Sequence, residues 1–276
     1  MLEVENALVL GEPELQRLSR LLYEASGITL HDGKGPLVIA RLQKRLKEQG
    51  YRSFAEYLDA VERDRTGAAL TELVDAMATN HTSFFREPQH FAYLQSSILP
   101  QVRARRVPVP LRVWSMPCST GEEPYSLAIS LLDAGLPAGF TILASDLSTK
   151  ALRRAREGVY RQQTVAGLPK AVLRRHFERG MGAEDGLVRV SVALRRQVAF
   201  RRLNLIGLLD LGHRFDVIFC RNVLIYFDQA AQQRSIAALE RHLAPGGYLF
   251  ISHSESLNAV RHSLRWVAAG VYRASA

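Results

Sequence analysis

Two adjacent carboxylates, Glu122 and Glu123, follow a short turn that leaves the apolar run "LRVWS" (111–115). The stretch "MPCSTGEEPYSLAI" (116–129) has the form of a strand-to-helix turn, the place where dinucleotide folds cradle a pyrophosphate on backbone N–H groups. Such cradles use several glycines for close backbone approach, and here Gly121 alone remains of a G-x-G-x-G pattern. The glutamates suit the positive end of a helix dipole but would repel a phosphate. This chemistry opposes a nicotinamide dehydrogenase. It fits a cofactor with a cationic centre and no phosphate.

S-adenosyl-L-methionine is such a cofactor, with adenosine and an amino-acid tail joined through a sulfonium. Asp146 ends the next apolar run, "FTILASD", and is placed to accept hydrogen bonds from both ribose hydroxyls. The plainer alternative is that Glu122 and Glu123 only favour a helix start, and acids at strand ends are common. Loop and acid together point to the cofactor.

The elements beneath these residues read as a parallel α/β sheet, because short apolar runs alternate with helical patterns after residue 110. Strands are expected at "LRVWS", "FTILASD", "VAFRRLNL", "FDVIFCR" and "GYLFIS", with helices starting near Tyr125, Ser148 and Asp228. "SLRWVAAGVYRA" has no helix between its apolar halves and reads as an antiparallel pair at the sheet edge. About forty residues between Gly158 and Val198 exceed a simple crossover and read as an inserted antiparallel subdomain. Ahead of the sheet, apolar residues at three- and four-residue steps predict helices over "PELQRLSRLLYEAS", "LVIARLQKRLKEQG", "SFAEYLDAVERD" and "AALTELVDAMAT". Gly27 and Gly50 serve as stops and Ser53 as an N-cap. "LPQVRARRVPVP" (99–110) reads as a basic, proline-rich connector. Phe84, Phe85 and Phe91, at helical spacing, read as core.

At 276 residues the chain suits one large domain or two small ones. No apolar run approaches a membrane span, and the N-terminus lacks a signal-peptide pattern, so a cytoplasmic protein without membrane insertion is expected. Cys118 and Cys220 are too few for a disulfide framework and read as buried thiols. His81, His90 and His253 have no metal-ligand spacing, and no metal is expected. The formal charge of +9, read as scattered over several helices, implies an acidic partner, either nucleic acid or a protein rich in Asp and Glu.

Five stretches, "NHTSFFRE" (80–87), "CSTGEEPYSLAI" (118–129), "ILASDLS" (142–148), "FDVIFCRNVLIYF" (215–227) and "LAPGGYLFISHSESL" (243–257), closely resemble CheR-type chemoreceptor glutamate methyltransferases, in order and over nearly the whole chain. The resemblance implies an all-α N-terminal domain over residues 1–78. It implies a class I, Rossmann-like methyltransferase domain over 79–276, with a small antiparallel β-subdomain inserted at about 159–198. It further implies that Asn80, Thr82 and Arg86 close over the methionine end of S-adenosyl-L-methionine. Glu123 would contact the amino-acid tail and Asp146 the ribose. Asn204 and Leu205 would flank the adenine, and Arg221 and Asn222 would line the floor beside the sulfonium. Tyr226 would stand near the reacting methyl. One departure is Pro117, where family members usually show a small residue, and proline removes one N–H from the loop.

If the acceptor is a glutamate carboxylate, it is ionised at neutral pH and needs no general base. Arg86 is then expected to guide the acceptor and Tyr226 to pack against or polarise it. Arg41, Lys44, Arg45 and Lys47 lie in "ARLQKRLKEQG", where Arg41, Lys44 and Arg45 share a basic face suited to Glu-rich receptor helices. "RGMG" (179–182), with Gly180 and Gly182, resembles the loop with which some relatives bind a receptor C-terminal peptide by strand addition. A monomer is expected. Two other functions stay open: a nucleic-acid methyltransferase of the same fold, and a non-catalytic cofactor-binding module that docks on receptors. Against the first, "CRNVLIYF" stands where amino-group methylators carry an N/D-P-P-aromatic run. Against the second stands the intact set Asn80, Arg86, Glu123, Asp146 and Asn222.

Overall fold

A computed structural model describes residues 8–30, 33–107, 109–136, 139–207 and 210–276. The chain forms two compact units, one running to Thr79 and taking in Tyr226–Asp228, the other holding Asn80–Ile225 and Gln229–Ala276.

In the first unit the apolar periodicity becomes α1 (Glu12–Ser26), α2 (Gly35–Glu48), α3 (Phe54–Arg63) and α4 (Ala68–Met77). Their inner stripes, Leu18/Leu22, Val38/Leu42/Leu46, Phe54/Leu58/Val61 and Leu73/Met77, are no more than 4 % exposed. Gly27 ends α1 in the left-handed region (φ 72°), and the Ser53 hydroxyl caps α3 by accepting the Glu56 N–H at 3.1 Å. Within this unit the Thr29 N–H donates to the Tyr226 carbonyl at 2.9 Å, and Ile28 bridges Phe227. The basic face expected on α2 is partly consumed here. Arg41 donates to the Met77 carbonyl and to the Thr79 hydroxyl, and Arg45 pairs with the Glu72 carboxylate. Lys44 and Lys47 remain exposed.

The second unit opens with a helical stretch from α5 (Pro88–Tyr93) through one π-helical turn (Leu94–Ile98) to α6 (Leu99–Arg103). This corrects the reading of 99–110 as connector throughout: Pro88 sits in the first turn, where no N–H is lost to the ladder, and the helix carries Pro100 just after the wider π-helical turn. The chain continues as β1 (Leu111–Ser115), α7 (Glu122–Ala134), β2 (Phe140–Asp146), α8 (Thr149–Glu157) and β3 (Val159–Arg161). Next come α9 (Gln162–Val165), α10 (Lys170–His176), β4 (Phe177–Arg179), β5 (Leu187–Val190), α11 (Val192–Arg195) and β6 (Val198–Arg202). It ends with β7 (Phe215–Phe219), α12 (Gln229–His242), β8 (Leu243–Phe250), β9 (Arg265–Ala268) and β10 (Val271–Arg273).

Seven strands form one sheet in the order β6-β2-β1-β7-β8-β10-β9, parallel as far as β8, with β10 antiparallel to both its neighbours. The inserted segment forms a second, antiparallel sheet, β3-β5-β4, as expected. β1 and β2 match their expected bounds, whereas β6 stops at Arg202 and β7 at Phe219, which leaves Leu203–Leu205 and Cys220–Arg221 in loops. Phe84 and Phe91 enter the core, Phe85 packs against it, and Phe219 stacks on Phe250 with centroids 4.3 Å apart. β2 and β7 lie on opposite sides of β1, so the chain reverses its winding there, and ligands of open α/β sheets bind outside the carboxyl ends of strands at such a switch point.

Candidate functional site

The turn after β1 passes through a cis Met116–Pro117 bond. Pro117 offers no N–H, and the next two residues hold the turn. Cys118 N–H donates to the Ser145 carbonyl (2.8 Å) and Ser119 N–H to Asp146 Oδ2 (2.7 Å). Ser148 N–H donates to Asp146 Oδ1 (2.9 Å), so this carboxylate, 6 % exposed, ties the turn to the end of β2. Ser119 takes a left-handed conformation (φ 48°), and its hydroxyl donates to the Asn80 carbonyl at 3.1 Å. Gly121 has φ 100°, and a Cβ there would lie 2.9 Å from the Tyr160 hydroxyl and 3.0 Å from the Ala155 methyl. That position requires glycine.

The two glutamates that open α7 diverge. Glu122 accepts the Thr120 hydroxyl (2.7 Å), and burial pushes its carboxyl above the ordinary range. Glu123 accepts the Ser115 hydroxyl on one oxygen and Arg221 Nε on the other, both at 2.7 Å. Arg221 follows β7 and is 4 % exposed. Its Nη1 reaches Glu87 Oε2 (3.2 Å), the Arg86 carbonyl (2.8 Å) and His90 Nδ1 (3.1 Å). Two carboxylates thus flank one guanidinium, which leaves a formal negative charge beside the switch point. The Ser252 hydroxyl donates to Glu87 Oε1 (2.6 Å) and accepts from Asn222 Nδ2 (2.8 Å). Leu203 N–H bonds the Asp146 carbonyl (3.1 Å), which brings Asn204 and the buried Leu205 to the same strand end.

Residues 80–272 match the family described as CheR methyltransferase, SAM binding domain, and residues 13–78 match CheR methyltransferase, all-alpha domain. The chain belongs to the CheR methyltransferase family. It is 39% identical over 261 residues to the chemotaxis protein methyltransferase of Escherichia coli (strain K12), covering 94% of this chain and 89% of that one. It is 40% identical over 270 residues to the chemotaxis protein methyltransferase of Salmonella typhimurium, covering 96% and 92%. Chemotaxis protein methyltransferase 2 of Pseudomonas aeruginosa is 39% identical over 262 residues, covering 94% and 92%. The chain is accordingly an S-adenosyl-L-methionine-dependent methyltransferase of chemotaxis, with a Rossmann-like methyltransferase fold behind an all-α domain.

The residues of this CheR methyltransferase fit that cofactor. The donor set is acidic where a pyrophosphate site would be basic, and Glu123, Glu87 and Asp146 favour a ligand carrying positive charge. Of the residues expected at the site, Asn80, Arg86, Glu123, Asp146, Asn204, Leu205, Arg221 and Asn222 lie on segments that these contacts join. Thr82 is half-buried in the Asn80–Arg86 segment, and Arg86 donates to the His81 carbonyl at 2.9 Å. Tyr226 groups with the helical unit.

Sequence reasoning assigned no role to Ser115, Glu87, His90, Ser252 or Glu255. Glu255 lies in the quoted motif "SHSESL", and its carboxylate accepts four backbone N–H groups: Asn222 (3.0 Å), and Val223, Leu224 and Ser252 (each 2.8 Å). It holds the loop after β7, where Asn222 sits at φ 59°. Glu255→Gln turns an amide N–H toward some of these donors, and is expected to cost about 2 kcal/mol. Hydrogen exchange at residues 222–224 should accelerate, with the urea midpoint falling in parallel.

Glu87, His90 and His253 place ligand atoms within 4.8 Å of one another, but the Arg221 guanidinium already stands against Glu87 and His90. Burial first, and then the charge of Arg221, depress the His90 pKa to about 4. The ring is therefore neutral, with Nδ1 accepting from Arg221 and Nε2–H donating to the Ala269 carbonyl (3.3 Å). An unfolded chain takes up this proton near pH 6.5 and the native protein only near 4, so stability is full above pH 6.5 and falls through that interval. The expected loss is about 3 kcal/mol between pH 7 and pH 4. His90→Gln should flatten that part of the profile in urea titrations against wild type.

Proposed function

We propose that this methyltransferase transfers the methyl group of S-adenosyl-L-methionine to glutamate side-chain carboxylates of chemoreceptors, forming methyl esters in sensory adaptation. The observation that carries the reading is the cluster around Arg221. Its carboxylates are engaged by Arg221, Ser115 and Ser252, and the His90 ring has both nitrogens engaged. Such a site offers poor proton acceptors and suits a nucleophile that arrives ionised.

When bound, the cofactor supplies an electrophilic methyl on a sulfonium. Asp146 would hold the ribose, Asn204 and Leu205 the adenine, and Glu123 the amino-acid tail. Asn80, Thr82 and Arg86 would close over the methionine end, with Arg221 and Asn222 as the floor. Arg86 guides the acceptor carboxylate without pairing so tightly as to blunt it, and Tyr226 packs against the acceptor. The protein's contribution is positioning and exclusion of water. The inserted sheet would take a receptor C-terminal peptide along β4, which has a neighbour on one side only. The tip next to β4 depends on glycine, since a Cβ at Gly180 would collide with the Glu184 carbonyl and Gly182 holds φ 61°. The enzyme would act as a monomer at receptor arrays in the cytoplasm. Among the described residues, no helix is long and apolar enough to cross a membrane.

The test supplies methyl-labelled S-adenosyl-L-methionine with a receptor cytoplasmic fragment and, separately, with total RNA. Label released from the receptor by mild base as methanol supports the reading. Base-stable label on RNA, or cofactor binding with no transfer to receptor, overturns it. Wild-type kcat and KM in Arg86→Ala would remove the guiding role. Equal binding of receptors with and without their C-terminal peptide would remove the tether.

A further inference from the structure

The positive charge of the chain is concentrated in one segment, contrary to the scattered distribution expected. Residues 150–202 hold fourteen Lys and Arg against four Asp and Glu, a surplus of ten. The whole chain carries +9, so everything outside this segment sums to −1. Thirteen of the fourteen cations are exposed, and Arg195 is half-buried.

Hydrogen bonds draw much of this charge onto one face. Arg202 Nε donates to the Leu147 carbonyl just ahead of α8 (3.2 Å). Arg156 Nη2, near the end of α8, donates to the Phe200 carbonyl in β6 (3.1 Å), and Arg189 Nε in β5 donates to the Glu157 carbonyl (3.4 Å). Between these ties α8 buries Ala151, Leu152 and Ala155 and turns Lys150, Arg153 and Arg154 outward, three and four residues apart. Arg202 adds charge on the α8 side of the open edge of the seven-stranded sheet, where β6 pairs with β2 alone, while Arg201, level with Ser145, points to the opposite face. Salt bridges from the segment join Arg175 to Asp133 and Arg179 to Asp185, away from α8 and β6.

Like charges gathered on one face repel one another, and a partner of opposite sign offsets that cost. We infer that the face formed by α8, β6 and the adjoining part of β5 is a docking surface for an acidic helical segment of the receptor, beside the reacting site. The charge begins four residues after Asp146 and ends two residues before Asn204, so the face borders the strand ends that carry the cofactor residues. The partner's identity rests on the proposed receptor substrate. A protein fits better than a nucleic-acid strand, because the segment exposes no aromatic ring for base stacking. Tyr160 is buried, and Phe177 and Phe200 are half-buried. Its exposed large apolar side chains include Val159 and Val192, with Val159 opposite Arg189 in the small sheet. The basic residues of α2 compete weakly for the role, since Arg41 and Arg45 are engaged within their own unit.

The experiment compares wild type, the triple variant Lys150→Glu/Arg153→Glu/Arg154→Glu and the control Lys44→Glu/Lys47→Glu, in full-length protein. Binding of a Glu-rich receptor cytoplasmic fragment is measured by calorimetry at low and high salt, apart from methyl transfer. In the triple variant the fragment Kd should rise roughly tenfold at low salt and converge with wild type at high salt, with cofactor affinity unchanged. The control should stay within about twofold of wild type. A fragment Kd unchanged in the triple variant, or equally weakened in the control, overturns the surface. So does a wild type that fails to bind the fragment, or a triple variant that loses only total RNA. A fragment that binds through this face without being methylated sinks the receptor as substrate and leaves the surface standing. Should the triple variant not fold, Arg153→Glu alone should weaken binding about threefold, and no change would overturn the proposal.

Discussion

Asp146→Ala lowers the affinity for S-adenosyl-L-methionine by about three orders of magnitude, the largest functional effect expected of any single substitution. The carboxylate is buried and already accepts the Ser119 and Ser148 N–H groups, which fixes its orientation before a ligand arrives. A preorganised ionised acceptor gives hydrogen bonds of about 1.5–3 kcal/mol each, so the two bonds proposed to the ribose hydroxyls would contribute of order 4 kcal/mol. Alanine also frees the β1–α7 turn from β2, which adds a cost in ordering the loop. Asp146→Asn separates the two effects, because it keeps the shape but sets an amide N–H against Ser119 or Ser148. Calorimetric titration of the cofactor reads both variants, and an Asn variant that binds within threefold of wild type would remove Asp146 from the ribose role.

Arg221→Met carries the largest expected loss of stability. Arg221 lies between Glu123 and Glu87 and is itself buried, so its removal strands two carboxylates with little solvent to screen them. Breaking a buried pair from one side costs about 3–5 kcal/mol, a fall of roughly 10 °C in the melting temperature of a unit this size. Arg221→Lys should rescue little of this. Nε serves Glu123 while Nη1 serves Glu87 and the Arg86 carbonyl, and one ammonium cannot span that fork. The double variant Arg221→Met/Glu123→Gln should recover part of the loss by removing one stranded charge, read as a coupling energy in thermal or urea unfolding. Equal melting temperatures for wild type and Arg221→Met would show that the network adds no net stability.

Local pattern carried most of the architecture. The stripe Val38/Leu42/Leu46, the Ser53 cap and the bounds of β1 and β2 all follow from interactions within a few residues. The helical segment Leu99–Arg103 was hidden because Pro100 reads as a breaker, although the helix carries it just after a π-helical turn. Glu123 and Asp146 were legible as candidates because they sit on the turn and strand end where an open α/β sheet binds its ligand. Glu87 and His90 were not, since Arg221 meets them across 134 and 131 residues of chain and no periodicity records such a pairing. Glu255 was hidden differently. It binds four main-chain donors, and backbone geometry of that kind appears only when the loop is built. The charge of residues 150–202 was present in the sequence from the start, but its meaning depends on α8, β5 and β6 turning it outward together.

Cys118 and Cys220 lie fully enclosed just past the ends of β1 and β7, and burial holds both thiols well above their ordinary range. A thiol so placed reacts with an alkylating reagent only while the strand ends part. The protein therefore carries two internal timers of site opening that need no introduced label. Their alkylation rate in native buffer measures the free energy of that excursion, and saturating cofactor should slow it in proportion to its occupancy.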